Sequence, residues 1–231
     1  MMGNIIAIFK KQIKDTLKNK AVLIQFMMFP ILTLIMNHAI KIDGMPENFF
    51  VNLFAVMYIG MAPLSSIAAI ITEEKERNTL RVLLMSNVRP YEYLLGIGSY
   101  IWFACVVGAF IICVSGNYRL QEKLIFMVIM MVGIVVSLLL GALIGIWSKT
   151  QMMATSITVP VMMFFSFMPM LSMFNTTIAG ISKVIYSEQI SIILHQIHHL
   201  QLQIENIFII VANVFLFAVL FAAVYKKKGF E

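Results

Sequence analysis

Three histidines have a spacing that could hold a metal. His195, His198 and His199 fall at i, i+3 and i+4, so a continuous helix would place them on one face. Neutral imidazoles so arranged can ligate zinc or copper. The competing reading is the polar face of an exposed helix. Without a nearby Cys or Asp, or a His from elsewhere, no metal site is assigned. Methionine offers a second chemistry. There are nineteen in the chain, and Met152, Met153, Met162, Met163, Met168, Met170 and Met173 gather in one apolar run. Their flexible thioethers can accept varied apolar ligands or pass a soft metal. As lipid-facing or core filler they would do neither. Cys105 and Cys113 share one apolar run and read as small buried hydrophobes. The sequence has no Gly-rich phosphate loop, no nucleophile elbow and no Ser–His–Asp signature. No catalytic residue is assigned.

The elements that carry these residues are apolar to an unusual degree. Hydrophobic residues make up 61% of the 231 positions and charged residues 12%, against about 45–50% and 25% in soluble domains. One soluble core of this size cannot hide that excess, whereas a bilayer can. Six runs reach the length of about 20 residues needed to span it: 21–40, 50–71, 91–114, 124–147, 152–175 and 206–225. They are long and do not alternate, so the expected fold is all-α and integral to a membrane, with six transmembrane helices. The fifth run holds Pro160, Pro169 and several hydroxyl residues, which leaves a kinked or partly re-entrant segment open there. No ionisable residue lies at the middle of a run; His38 and Glu92 lie near run ends. That weakens a proton- or voltage-driven transporter.

Charge orients the chain. With the N-terminus in the cytoplasm, the inner side holds thirteen cations: Lys10, Lys11, Lys14, Lys18, Lys20, Lys75, Arg77, Arg81, Arg89, Lys149, Lys226, Lys227 and Lys228. The outer side holds four: Lys41, Arg119, Lys123 and Lys183. The positive-inside bias therefore puts both termini in the cytoplasm. The net charge of +6 sits mostly at the ends of apolar runs, which argues for a membrane surface and against a nucleic-acid partner.

Four segments lie outside the runs. Residues 1–20 read as an interfacial helix, with Ile6, Phe9, Ile13 and Leu17 on one face and lysines on the other. Residues 72–90 form the longest inner connection, with Leu80, Leu83 and Leu84 on one face of a short helix that Thr79 could cap. Such a helix suits a groove on another protein or, equally on pattern alone, the membrane surface. Residues 176–205 keep a helical period through Ile178, Ile181, Ile185, Ile190, Ile193, Leu194, Ile197, Leu200 and Ile204, which predicts two short helices dipping into the outer interface. Residues 226–231 form a basic inner tail. Residues 21–225 thus form one membrane domain. Within it, Gly141 and Gly145 make a small-xxx-small pair suited to close helix packing.

The inner connection carries a resemblance. Glu74-Lys75-Glu76-Arg77-Asn78-Thr79-Leu80, then Leu83-Leu84, then Pro90-Tyr91-Glu92-Tyr93-Leu94-Leu95-Gly96 resembles the signature of ABC-2 type permeases, the membrane subunits of one class of ATP-binding cassette exporters. The family pattern has Gly where Asn78 stands, Glu where Arg81 stands and often Lys where Ile97 stands. The interfacial helix, Pro30 in the first run, six runs, the outer helical pair and the basic tail extend the resemblance over essentially the whole chain.

The resemblance implies that two permease subunits pair, identical or different, and that each contacts a cytoplasmic ATPase subunit. It makes the helix at 79–87 a coupling helix, with Glu73, Glu74, Glu76, Arg77, Thr79, Leu80, Leu83, Leu84 and Asn87 at the contact. ATP and Mg²⁺ would belong to the partner, and this chain would bind no cofactor and hold no ATPase site. The setting implied is a bacterial cell membrane. Met162, Met163, Met168 and Met170 then mark a candidate cargo path. Its apolar character favours an amphipathic peptide, such as a toxin, bacteriocin or phenol-soluble modulin, with a lipid or hydrophobic drug next and copper last. A sensor, immunity or scaffold subunit that transports nothing is the alternative from another class.

Overall fold

The fold is described from a computed structural model, which places residues 2–18, 20–40, 44, 46–86, 88–199 and 203–228. Asn87, Lys41, Leu200 and tail residues 229–231, all named above, lie outside the described residues, as does the side chain of His199.

Ten α-helices account for nearly all of the described chain: α1 (Met2–Lys18), α2 (Lys20–Ala39), α3 (Phe49–Glu76), α4 (Thr79–Met85), α5 (Pro90–Ser115), α6 (Leu120–Trp147), α7 (Gln151–Ser172), α8 (Thr176–Ser182), α9 (Tyr186–His195) and α10 (Ile204–Lys228). A 3₁₀ turn at Ile197–His199 follows α9. Six of them, α2, α3, α5, α6, α7 and α10, are long and apolar enough to cross a membrane. Successive spans run in opposite directions. This gives a near end, where α1 and α4 lie, and a far end, where α8 and α9 lie. α3 is the hub: it packs on α2, α5, α6, α7 and α9. It is 28 residues long and continues past the apolar run to Glu76, so residues 72–76 are helix and not connection.

The centre of the bundle is organised by a proline. Pro63 lies inside α3 and has no N–H to give the carbonyl of Ile59, four residues earlier. The Ser137 hydroxyl on α6 donates to that carbonyl at 2.7 Å. Tyr186, fully buried on α9, brings its hydroxyl to 2.7 Å from Ser137 Oγ. Since Ser137 spends its proton on Ile59, Tyr186 is the donor to Ser137. A backbone group that lipid could not satisfy is thus closed by two neighbouring helices.

That chain of hydrogen bonds also corrects the outer hairpin. α8 is largely exposed, but α9 does not lie in the interface. Tyr186, Ile190, Ile193 and Leu194 are buried against α3, α6 and α10, together with Ser187, Gln189 and Ser191. α9 re-enters the bundle as deep as Ser137. α7, where a re-entrant segment was left open, runs as one helix through Pro160 and Pro169.

The face of α1 is also offset from expectation. Ile8, Gln12 and Thr16 are its buried residues. Gly96 on α5 takes Ile8 so closely that a β-carbon there would lie 2.8 Å from it. Phe9 and Ile13 pack at the edge of this contact, whereas Ile6 and Leu17 stay exposed. The helix therefore docks on its own protein and leaves a narrower apolar margin for lipid.

Candidate functional site

At the near end, the charged residues after α3 act first as joints. Glu74 is buried, and its Oε1 accepts from Lys11 Nζ at 2.6 Å and Gln12 Nε2 at 3.1 Å. Glu74 therefore ties α3 to α1. Lys75 Nζ donates to the carbonyl of Ile146 at 2.8 Å, placing a cation where the C-terminal carbonyls of α6 lack partners. Glu76 Oε2 accepts from the backbone N–H of Gln151 at 2.8 Å, which satisfies a first-turn donor of α7. Glu73 and Arg77 pair with each other at 2.9 Å. Five consecutive charges thus reach α1, α6, α7 and the turn into α4.

The turn is made by Asn78, whose φ of 58° is left-handed. Asn tolerates that region better than most residues, which accounts for it where a glycine is usual. Thr79 is not the cap of α4. Asn78 occupies that position, and the Thr79 hydroxyl instead donates to the Glu74 carbonyl at 3.2 Å, closing the end of α3.

The short helix α4 shows the clearest reversal. Leu80 is fully buried, and Leu83 and Leu84 pack against the core. The apolar face expected to meet a partner holds α4 onto its own chain. The opposite face carries Arg81, Val82 and Met85; Val82 is 65% and Met85 79% exposed. Large apolar side chains so open on a charged surface are free to take part in a contact. Spacing alone had favoured the leucines because they form the longer stripe. Val82 and Met85, one turn apart, were the weaker signal that pointed outward.

A further joint lies at the start of α5. Pro90 opens α5, and Glu92 Oε2 accepts from the Arg89 backbone N–H at 3.0 Å and from Asn4 Nδ2 at 3.0 Å. Pro at the first position with Glu two residues later is a helix-start signature. Between α1 and the α3–α4 turn opens a cleft of about 770 Å³. Lys11, Asp15 and Lys18 form one wall and Glu73, Arg77 and Thr79 the other.

At the far end His195 and His198 do not converge. α9 stops at His195 and the 3₁₀ turn intervenes, so helical spacing no longer applies. His195 Nδ1 meets the Ser191 carbonyl at 2.8 Å. His198 turns the other way, with Nδ1 3.2 Å from Glu122 Oε1 and its ring stacked on Tyr118. Tyr118 in turn donates to Asn52 Oδ1 at 2.5 Å. Among the described residues, no group of three His, Cys, Asp or Glu is placed to hold a metal. Glu188, buried on α9, accepts from the Ser172 hydroxyl at 2.9 Å. Burial holds its carboxyl above the usual carboxylate range, with the Ser172 and Ser182 hydroxyls offsetting part of the rise.

The four methionines of the candidate path also separate. Met162 packs on the core, Met163 faces outward, Met168 is half-buried, and Met170 borders a void of about 10 Å³ beside His195. That void is far too small for a cargo. Gly141 and Gly145 on α6 lie against α3: a β-carbon at Gly141 would meet the Leu64 carbonyl oxygen at 2.3 Å, and one at Gly145 would meet Ile71 Cβ at 3.0 Å.

Residues 3–171 match the family model described as ABC-2 type transporter, so the chain belongs to the ABC-2 type transporter family. Comparison with curated proteins found no match. The family makes the chain a multi-pass permease subunit that works with an ATP-binding subunit.

Proposed function

We propose that the chain is the permease subunit of an ATP-driven exporter in a bacterial cell membrane, with both termini cytoplasmic. Its α4 is the coupling helix that rests in the ATPase subunit. The observation that carries this reading is the two-sidedness of α4: Leu80, Leu83 and Leu84 fix it to the bundle, while Val82 and Met85 stand open. A push on the open face has no soft layer to dissipate in. Through Thr79 and Glu74 it reaches α3, and through Lys11 and Gln12 it reaches α1. ATP with Mg²⁺ is bound and hydrolysed by the partner. A second permease subunit, of the same or another sequence, completes the path, and lipid covers the remaining faces.

The favoured cargo is an amphipathic peptide. α7 contains no Asp, Glu, Lys or Arg, and Met163 and Phe164 on its outward side offer adaptable apolar contact to a partner subunit or a cargo. The test has two parts. Affinity purification in mild detergent should recover a P-loop ATPase in stoichiometric amount, whereas the chain alone, across detergents and with ATP present, would refute the reading. In vesicles, an amphipathic helical peptide should then raise ATP turnover of the complex. Assembly without stimulation by peptide, lipid or hydrophobic drug would mark a sensor, immunity or scaffold subunit instead.

A further inference from the structure

The charge of the docking surface says something about the partner beyond its being an ATPase. Around α4 the carboxylates are turned inward or engaged. Glu74 is buried on Lys11, Glu92 is buried on Asn4 and the start of α5, and Glu73 is paired to Arg77. Glu76 is exposed but holds the first turn of α7. Lys11, Lys75 and Arg77 are engaged as well, whereas two other cations face out. Arg81 lies on the open face of α4, four residues from Met85 and next to Val82, and Arg89 is exposed just beyond the helix. Among the described residues Arg81 makes no hydrogen bond or ion pair, so it is a long, fully charged side chain with no internal work. An arginine beside two exposed apolar side chains, on a helix otherwise fastened down, forms a contact with an apolar centre and a cationic edge.

We propose that the groove receiving α4 has an apolar floor for Val82 and Met85 and a carboxylate rim that pairs with Arg81. This rests on the coupling-helix reading above. It assigns Arg81 to partner choice, since guanidinium recognises carboxylate by a two-pronged geometry that lysine cannot copy. An ATPase whose rim is basic at that point would be repelled by like charge, and one whose rim is neutral would leave Arg81 unpaired.

The experiment uses the full-length permease in lipid nanodiscs and the P-loop ATPase that copurifies with it, identified and expressed separately. Affinity is measured for the wild type and for Arg81→Glu, Arg81→Gln and Met85→Asp. Equal melting temperatures would establish that each variant is folded, which the exposure of both positions favours. Arg81→Glu should weaken binding on the order of tenfold or more, Arg81→Gln less. The wild-type affinity should fall more steeply with salt than that of either Arg81 variant. Replacing one groove carboxylate of the ATPase by lysine should restore binding to Arg81→Glu. If Arg81→Glu binds as the wild type does while Met85→Asp binds weakly, α4 docks but the acidic rim is wrong, and Arg81 faces anionic lipid headgroups. If neither change alters affinity, the coupling-helix reading itself fails.

Discussion

Ser137 shows how much a single hydroxyl can support in this bundle. It satisfies the carbonyl that Pro63 orphans and receives the hydroxyl of Tyr186. Ser137→Ala would leave both groups buried without a partner. Each such loss costs about 1–3 kcal/mol, so the variant should melt measurably below the wild type in the same detergent. Tyr186→Phe removes one of the two consequences and should cost less. Glu188 gives a pH dependence of definite sign. Its folded carboxyl binds a proton more readily than the unfolded one, whose usual value is 4.5. Stability from this group is therefore present in acid and is lost as pH rises from the usual value through the raised one. Thermal melts across that range should show the decline, and Glu188→Gln, which keeps a neutral polar group, should flatten it.

At the scale of elements, α3 and α6 touch backbone to side chain. The β-carbon of Gly141→Ala would press on the Leu64 carbonyl, which a rotamer change cannot move. That substitution should destabilise by about 1–3 kcal/mol, as overpacking does. Gly98→Ala, where nothing lies within 4 Å, should be neutral or slightly stabilising. Melting temperatures of the two variants decide between close packing and mere helix propensity. The helices themselves were readable from the sequence, because an apolar run of spanning length has few other structures available to it. Their ends were not. Thr72–Glu76 looked like connection because it is polar, yet α3 continues through it and gives its charges to three neighbouring elements. Nor could spacing say which side of α4 faces outward. An apolar stripe is equally suited to a partner and to the chain's own core, and only the packing of α4 on α3 assigns Leu80, Leu83 and Leu84 to the core. α9 was misjudged in depth for a similar reason. Its buried serines and glutamine look interfacial until the hydroxyl on α6 and the orphaned carbonyl on α3 are seen beside it.

For the whole molecule, the proposed orientation can be tested without disturbing the bundle. The native cysteines, Cys105 and Cys113, are both buried, so the unaltered chain is a near-silent background for thiol labelling. Lys149, between α6 and α7, and Thr177, at the start of α8, are exposed at opposite ends of the bundle. The proposed orientation, with both termini cytoplasmic, puts Lys149 inside and Thr177 outside. In intact cells a membrane-impermeant maleimide should label Thr177→Cys and leave Lys149→Cys unlabelled, and opening the cells should expose the latter. The opposite pattern would put α4 outside the cell, out of reach of any cytoplasmic ATPase. It would thereby remove the coupling reading at one stroke. Labelling of neither position until the cells are opened would mean that α7, the span richest in proline and hydroxyl residues, does not cross.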